Sequence, residues 1–161
     1  MFALLAVCGC GNSVNTQTPS EAMAITLVPS SGEGQSGEFT VNLSPADKLS
    51  LLGVLYSARV DGGNACYVFY DPAKNSFSLV KDSGSGADPL IQGEPVVENN
   101  QCALANTGNT MANVTNNTLK LHLLIKFKPQ FAGPKNAYVY VVSKDGREPG
   151  FQQEGTWLVA P

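Results

Sequence analysis

Charge is scarce in this 161-residue chain: Asp, Glu, Lys and Arg make up 14% of it, against roughly a quarter in an average soluble domain. The net charge is −3 and no basic cluster stands out, so the electrostatic footprint of a nucleic-acid binder is missing. No polybasic or amphipathic helix is present to lie on a membrane surface. Long helical patterns are missing as well, and 16 Gly and 10 Pro supply frequent turns instead. What remains is a chain whose polarity comes from Asn, Ser, Thr, Gln and Gly, a composition common in secreted β-proteins. Its hydrophobic fraction of 43% suffices for a buried core, and its length suits one domain with a short leader.

Catalytic groups are equally sparse. The single histidine, His122, falls on the polar face of a strand pattern, with no serine positioned for a Ser-His-Asp arrangement. One histidine leaves too few ligands for zinc. Glu94 and Glu98 are the only pair resembling glycosidase carboxylates, and the sequence around them implies no cleft. Gly84-Ser-Gly-Ala does not follow a strand and open a helix, so it is no phosphate loop. Asp61-Gly-Gly-Asn64 and Asp82-Ser-Gly-Ser-Gly-Ala-Asp88 offer oxygen ligands for calcium, but neither has EF-hand spacing, and Asp and Gly are ordinary turn residues. The expectation is a protein that is not an enzyme and carries neither cofactor nor metal.

Strand signals fill the rest. The densest is Asn64-Ala-Cys-Tyr-Val-Phe-Tyr70, entered through Asp61-Gly62-Gly63 and followed by the turn Asp71–Asn75 and a return strand, Ser76–Val80. Gly37–Leu43 alternates with Phe39, Val41 and Leu43 on one face. Thr118–Lys128 is the clearest pattern: Leu119, Leu121, Leu123, Ile125 and Phe127 share one face, with Leu124 the one apolar residue on the other. Further strands are read at Met23–Val28, Leu52–Val60, Cys102–Leu104, Ala137–Ser143 and Gly155–Val159. Leu49–Val60 is ambiguous at its start, where Ser44-Pro45 signals a helical turn, and Gly53 marks a bulge or a close approach. Asp88–Val97 reads as an irregular edge, and Asn106–Asn117 as an exposed loop or a weak edge strand around Met111–Val114. Short strands divided by turns predict an all-β fold, an immunoglobulin-like antiparallel β-sandwich spanning 23–161.

The first ten residues, Met-Phe-Ala-Leu-Leu-Ala-Val-Cys-Gly-Cys, form an apolar run too short for a membrane helix, which needs about 20 residues. They read as an export signal. Val7-Cys8-Gly9-Cys10 resembles a bacterial lipobox, which implies lipidation of Cys10, with 11–22 as a flexible tether. A plain cleaved signal and a Cys-x-Cys metal clip are the alternatives. Export implies an oxidising compartment. A Cys66–Cys102 disulfide there would close a loop of about 37 residues and contribute roughly 3–4 kcal/mol; the alternative is two free buried thiols.

Asn64-Ala-Cys-Tyr, Asn100-Gln-Cys, the segment Phe127–Asn136 with Tyr138 and Tyr140, and Gln152-Gln-Glu-Gly-Thr-Trp157 together resemble a bacterial extracellular module found at the C-terminal end of secreted multidomain proteins, often after immunoglobulin-like repeats. The resemblance covers Leu49–Pro161 and implies a fold and an extracellular location more than an activity. The expected function is therefore a surface-anchored lipoprotein domain of the cell envelope mediating adhesion or protein–protein contact. A stand-alone carbohydrate-binding module is the alternative. There Tyr67, Tyr138 and Tyr140 would form an aromatic platform, provided that they face away from the core. An exposed tyrosine row would favour sugar; an unpaired edge strand would favour a protein partner.

Overall fold

The computed structural model describes residues 22–161 apart from 107 and 109. The expected signal, Cys8, Cys10 and nearly all of the expected tether lie outside the described residues.

Thirteen strands follow one another along the described residues. β1 (Ala24–Val28), β2 (Ser31–Glu33) and β3 (Ser36–Ser44) lead to a 3-10 turn at Ala46–Lys48. β4 (Leu49–Ser57), β5 (Cys66–Asp71), β6 (Ser76–Val80) and β7 (Ala87–Pro89) form a meander. β8 (Val96–Glu98), β9 (Cys102–Ala105), β10 (Met111–Thr115) and β11 (Thr118–Phe127) cross to the other layer, and β12 (Gly133–Ser143) and β13 (Phe151–Val159) return. One sheet runs β1-β3-β11-β9-β8, with β10 beside β9 on the same flank of β11; the other runs β2-β13-β12-β4-β5-β6-β7. Every pairing is antiparallel except β2 with β13. The molecule is an immunoglobulin-like β-sandwich.

Alternation explains the core. Phe39, Val41 and Leu43 of β3 and the odd-numbered residues Leu119–Phe127 of β11 face Leu52, Val54, Tyr56, Val68, Val139 and Val141 of the opposite sheet. Trp157 closes one end of this core. Its indole N–H donates to the Gly34 carbonyl at 3.0 Å, and its ring lies against Gly32, where a β-carbon would sit 2.3 Å from it. The Cys66–Cys102 disulfide joins β5 of one sheet to β9 of the other.

Several boundaries differ from the sequence reading, each for a local reason. β4 begins at Leu49, directly after the 3-10 turn, so both signals at that point are real and sit in tandem. The dense aromatic strand starts at Cys66, because Asn64 takes a left-handed φ of 49°. β12 runs back through Pro134, whose missing N–H costs nothing there, since β4 pairs with β12 only from Asn136 onward. The irregular edge resolves into β7 and β8. β2, for which the sequence shows no strand pattern, pairs with β13 through Ser31–Glu33.

Candidate binding surfaces

The inter-sheet bridge is built by its neighbours. Asn99 saturates its side chain: Nδ2 donates to the carbonyls of Ala65 (3.0 Å) and Val80 (2.9 Å), and Oδ1 accepts the N–H groups of Gln101 (2.8 Å) and Cys102 (2.9 Å). Asp82 accepts the N–H of Asn100, and its own carbonyl accepts the N–H of Asn64. Asp61 accepts the N–H of Gly63, and Asp88 pairs with Lys81 at 3.3 Å. The acids that could have suggested calcium loops thus hold backbone or a lysine. Among the described residues, no three His, Cys, Asp or Glu side chains gather around a common point. His122 lies exposed on the outer face of its sheet with Nδ1 2.9 Å from Thr40 Oγ1, and Glu98 pairs with Lys128 at 3.2 Å.

The three tyrosines lie on the outer face of the seven-stranded sheet, away from the main core. Two cross-strand rows carry them. One passes from Tyr138 through Leu55 to Tyr67, the other from Phe151 through Tyr140 and Gly53 to Phe69. Gly53 is the low point of the surface: a β-carbon there would lie 2.8 Å from the Tyr67 ring and 3.1 Å from Phe69. The rings lean into that gap and on one another, Tyr67 and Phe69 with centroids 4.4 Å apart. Phe151 is the hub, 5.8 Å from Tyr67, 6.4 Å from Tyr138 and 5.1 Å from Tyr140.

The result is a small second core. Tyr67 and Tyr138 are only 7% and 9% exposed, while Phe69, Tyr140 and Phe151 are half-buried and form its surface. Ring planes meet at angles from 31° to 82°, so the surface is faceted. Polar groups border it. Asn136 donates to the Tyr138 hydroxyl at 3.0 Å and accepts from Gln153 at 3.2 Å, and Tyr140 donates to Glu148 at 2.6 Å. The Glu148 bond to the neutral phenol, with some burial, raises the Tyr140 pKa; burial raises that of Tyr67 further, with Tyr140 as a smaller cause.

Phe151 was not foreseen. Alternation would place it on the same face as Trp157, six residues on. A register shift opposite Ala137 and Tyr138 inserts one extra residue into β13, sending Phe151 outward and Trp157 inward.

The second surface is the β10 edge. Among the described residues β10 pairs with β11 alone. Its residues, Met-Ala-Asn-Val-Thr, include no charge and no proline. The other edges carry such features or are very short: β7 ends in Pro89, β8 and β2 have three residues each, and β1 runs into Pro29 with Leu27 buried and Ile25 half-buried by the opposite sheet. Met111 is 47% exposed on the outer face. Val114 lies on the core-facing side, opposite buried Leu119, yet is 58% exposed.

The hairpin that carries β10 is firmly set. Asn116 and Asn117 take φ values of 51° and 57°, the left-handed pair of a two-residue type I′ turn. Asn117 then grips the 3-10 turn: Oδ1 accepts the Asp47 N–H at 2.9 Å, Nδ2 donates to Asp47 Oδ1 at 2.9 Å, and its carbonyl accepts the Ala46 N–H at 2.8 Å.

A third feature is an open cleft of about 820 Å³ at the mouth between the sheets, with Met23, Val141 and Pro149 among its lining. On its rim Arg147 pairs with Asp145, and Glu148 accepts a hydrogen bond from Tyr140. Among the described residues no helix is long and apolar enough to cross a membrane. No protein-family model and no curated protein sequence matches the chain.

Proposed function

We propose that this protein is a non-catalytic binding domain of the bacterial cell envelope, anchored through a lipid on Cys10, that mediates adhesion or assembly by engaging protein partners. One observation carries the reading: among the described residues the free edge of β10 is unpaired, neutral and flanked by exposed Met111 and Val114. An edge strand offers main-chain hydrogen bonds to any extended segment, and the alternating side chains select it. Folded proteins ordinarily blunt such edges, and no described residue covers this one, on a hairpin clamped by Asp47. The resemblance of the Asn-Ala-Cys-Tyr, Asn-Gln-Cys and Gly-Thr-Trp segments to an extracellular module supports the location.

The test is a photoreactive benzoylphenylalanine placed at Met111 in living cells. Irradiation is expected to give a discrete protein adduct from position 111 and none from Lys126, which is exposed on the same face but at the far end of β11. Equal labelling from both sites, or none from either, would overturn the reading.

A second reading has its own support. Half-buried rings bordered by the Asn136 and Gln153 amides and the Glu148 carboxylate are the groups that bind sugars, by stacking and by planar hydrogen bonding. It predicts retardation of the protein in gels containing one polysaccharide, lost on Tyr140→Ala. Unchanged mobility across a panel of cell-wall and plant polymers would remove it.

A further inference from the structure

The hydrogen-bonding parity of β10 can be read off its hairpin. In a two-residue type I′ hairpin the residues flanking the turn form a hydrogen-bonded pair, and bonding then alternates along the strands. Thr115 and Thr118 flank the turn here, so Thr115, Asn113 and Met111 bond to Thr118, Lys120 and His122. The Leu124 N–H agrees, since it points to the same side of β11 and donates to Thr110 Oγ1 at 3.2 Å. It follows that the N–H and C=O groups of Ala112 and Val114 are the ones that face the open edge.

From this we infer that β10 pairs with β10 of a second copy, antiparallel, with Asn113 on the twofold axis. The proposal rests on the edge-binding reading above and names the partner. In this register Ala112 faces Val114 of the other copy and Val114 faces its Ala112. Both are hydrogen-bonded pairs, so every outward N–H and C=O of both strands is used. Centring the axis on Ala112 or Val114 instead would push one of these residues opposite the turn or Thr110 and leave edge groups unmatched.

Side chains fit the same register. On the core-facing side, each exposed Val114 lies against the small Ala112 of its mate, which gives the valine the cover that the described residues of its own chain do not supply. On the outer side Met111 meets Thr115, and the two Asn113 amides meet at the axis. No charge lies on β10, and the nearest like charges, the two Lys120 side chains, stand three strand spacings apart, about 14 Å, beyond the screening length of about 8 Å. The two β10–β11 sheets join into one continuous sheet across the axis. A five-residue strand pair buries less than the roughly 1,000 Å² of a stable interface. The contact is therefore weak in dilute solution and favoured where copies are crowded on a surface.

The experiment is disulfide trapping in the full chain carrying Cys8→Ser and Cys10→Ser, so that Cys66 and Cys102, already bonded, are the only other cysteines. Asn113→Cys places thiols at a non-hydrogen-bonded pair with Cα atoms about 4.5 Å apart, within bridging range. Met111→Cys or Thr115→Cys alone lies about 14 Å from its own copy, but the two together face each other. Under mild oxidant, Asn113→Cys and the Met111→Cys/Thr115→Cys pair are expected to give dimer at least about tenfold faster than either single flanking variant. Adding Val114→Pro to Asn113→Cys removes an edge-facing N–H while leaving the β10–β11 bonds intact, and should abolish trapping with the thermal transition retained. Equal trapping at all sites, none at Asn113, or trapping that survives Val114→Pro in a folded protein would overturn the dimer. If trapping fails while position 111 still captures a different protein in cells, only the identity of the partner falls; if position 111 captures nothing either, the edge-binding reading falls with it.

Discussion

Asn99 holds the main chain of Ala65 at 3.0 Å, so the residue before one half-cystine is fastened to the segment that presents the other. All four hydrogen-bonding positions of this amide are used, between two strands and a tight turn. Asn99→Ala is expected to cost about 2–4 kcal/mol, because it strands two carbonyls and two N–H groups in a part-buried site. Asn99→Asp should do little better, since it keeps the acceptors but turns a carboxylate toward the Ala65 and Val80 carbonyls. Urea denaturation of the oxidised protein measures both.

Tyr56 gives the opposite expectation. Its ring packs 4.8 Å from Phe39 and 5.4 Å from Phe127, and its buried hydroxyl has no partner among the described residues. Tyr56→Phe keeps the packing and removes the desolvated group. Stability should rise by about 1 kcal/mol, seen as a higher midpoint in urea with an unchanged slope.

Alkaline pH should act through the same residue. Burial raises the pKa of Tyr56 well above its ordinary value near 10.0 and, with smaller causes, that of Tyr67 as well. Above pH 10.0 the unfolded chain releases these protons while the folded chain retains them, so stability present below that pH declines as pH rises through it. Tyr56→Phe should flatten the decline. Unfolding free energies measured at pH values from 8 to 11 in both proteins would check it; equal slopes would contradict the assignment.

The Gly-Thr-Trp segment makes a steric prediction. A β-carbon on Gly155 would lie 2.3 Å from the Ser30 carbonyl oxygen, which accepts the Thr156 N–H at 2.9 Å. Gly155→Ala must push these two main chains apart and loosen the strand that carries Trp157. A cost of about 2–3 kcal/mol is expected, together with a change in tryptophan fluorescence. Gly146→Ala offers a comparison, since its left-handed φ of 82° penalises the methyl but nothing lies within 4 Å of it; about 1 kcal/mol is expected.

Most of the sandwich was legible because the strongest strands obey strict alternation. Phe39, Val41 and Leu43, and the five apolar residues of β11, point inward as their spacing requires. The disulfide was legible because only two cysteines lie beyond the first ten residues. The outward tyrosines were half legible: Tyr138 and Tyr140 had to oppose Val139 and Val141, but alternation alone could not say which face was core. Phe151, the hub of that cluster, was hidden by a bulge that reverses parity within one strand. β2 was hidden because three residues carry no period at all. The bareness of the β10 edge depends on what fails to pair with it, and local sequence does not encode that.

The bridge between Cys66 and Cys102 also decides what a protease could accomplish. The exposed Ser/Gly loop after Lys81 and the turn before Val96 both lie inside the ring of chain that the bridge closes. A cut at either place opens the ring without releasing a piece: the fragment ending in β6 or β7 and the one beginning before β9 stay covalently joined, each still woven into a sheet. A nicked molecule would migrate as one chain until reduced. Two of the exposed loops are therefore places where a break in the chain costs little.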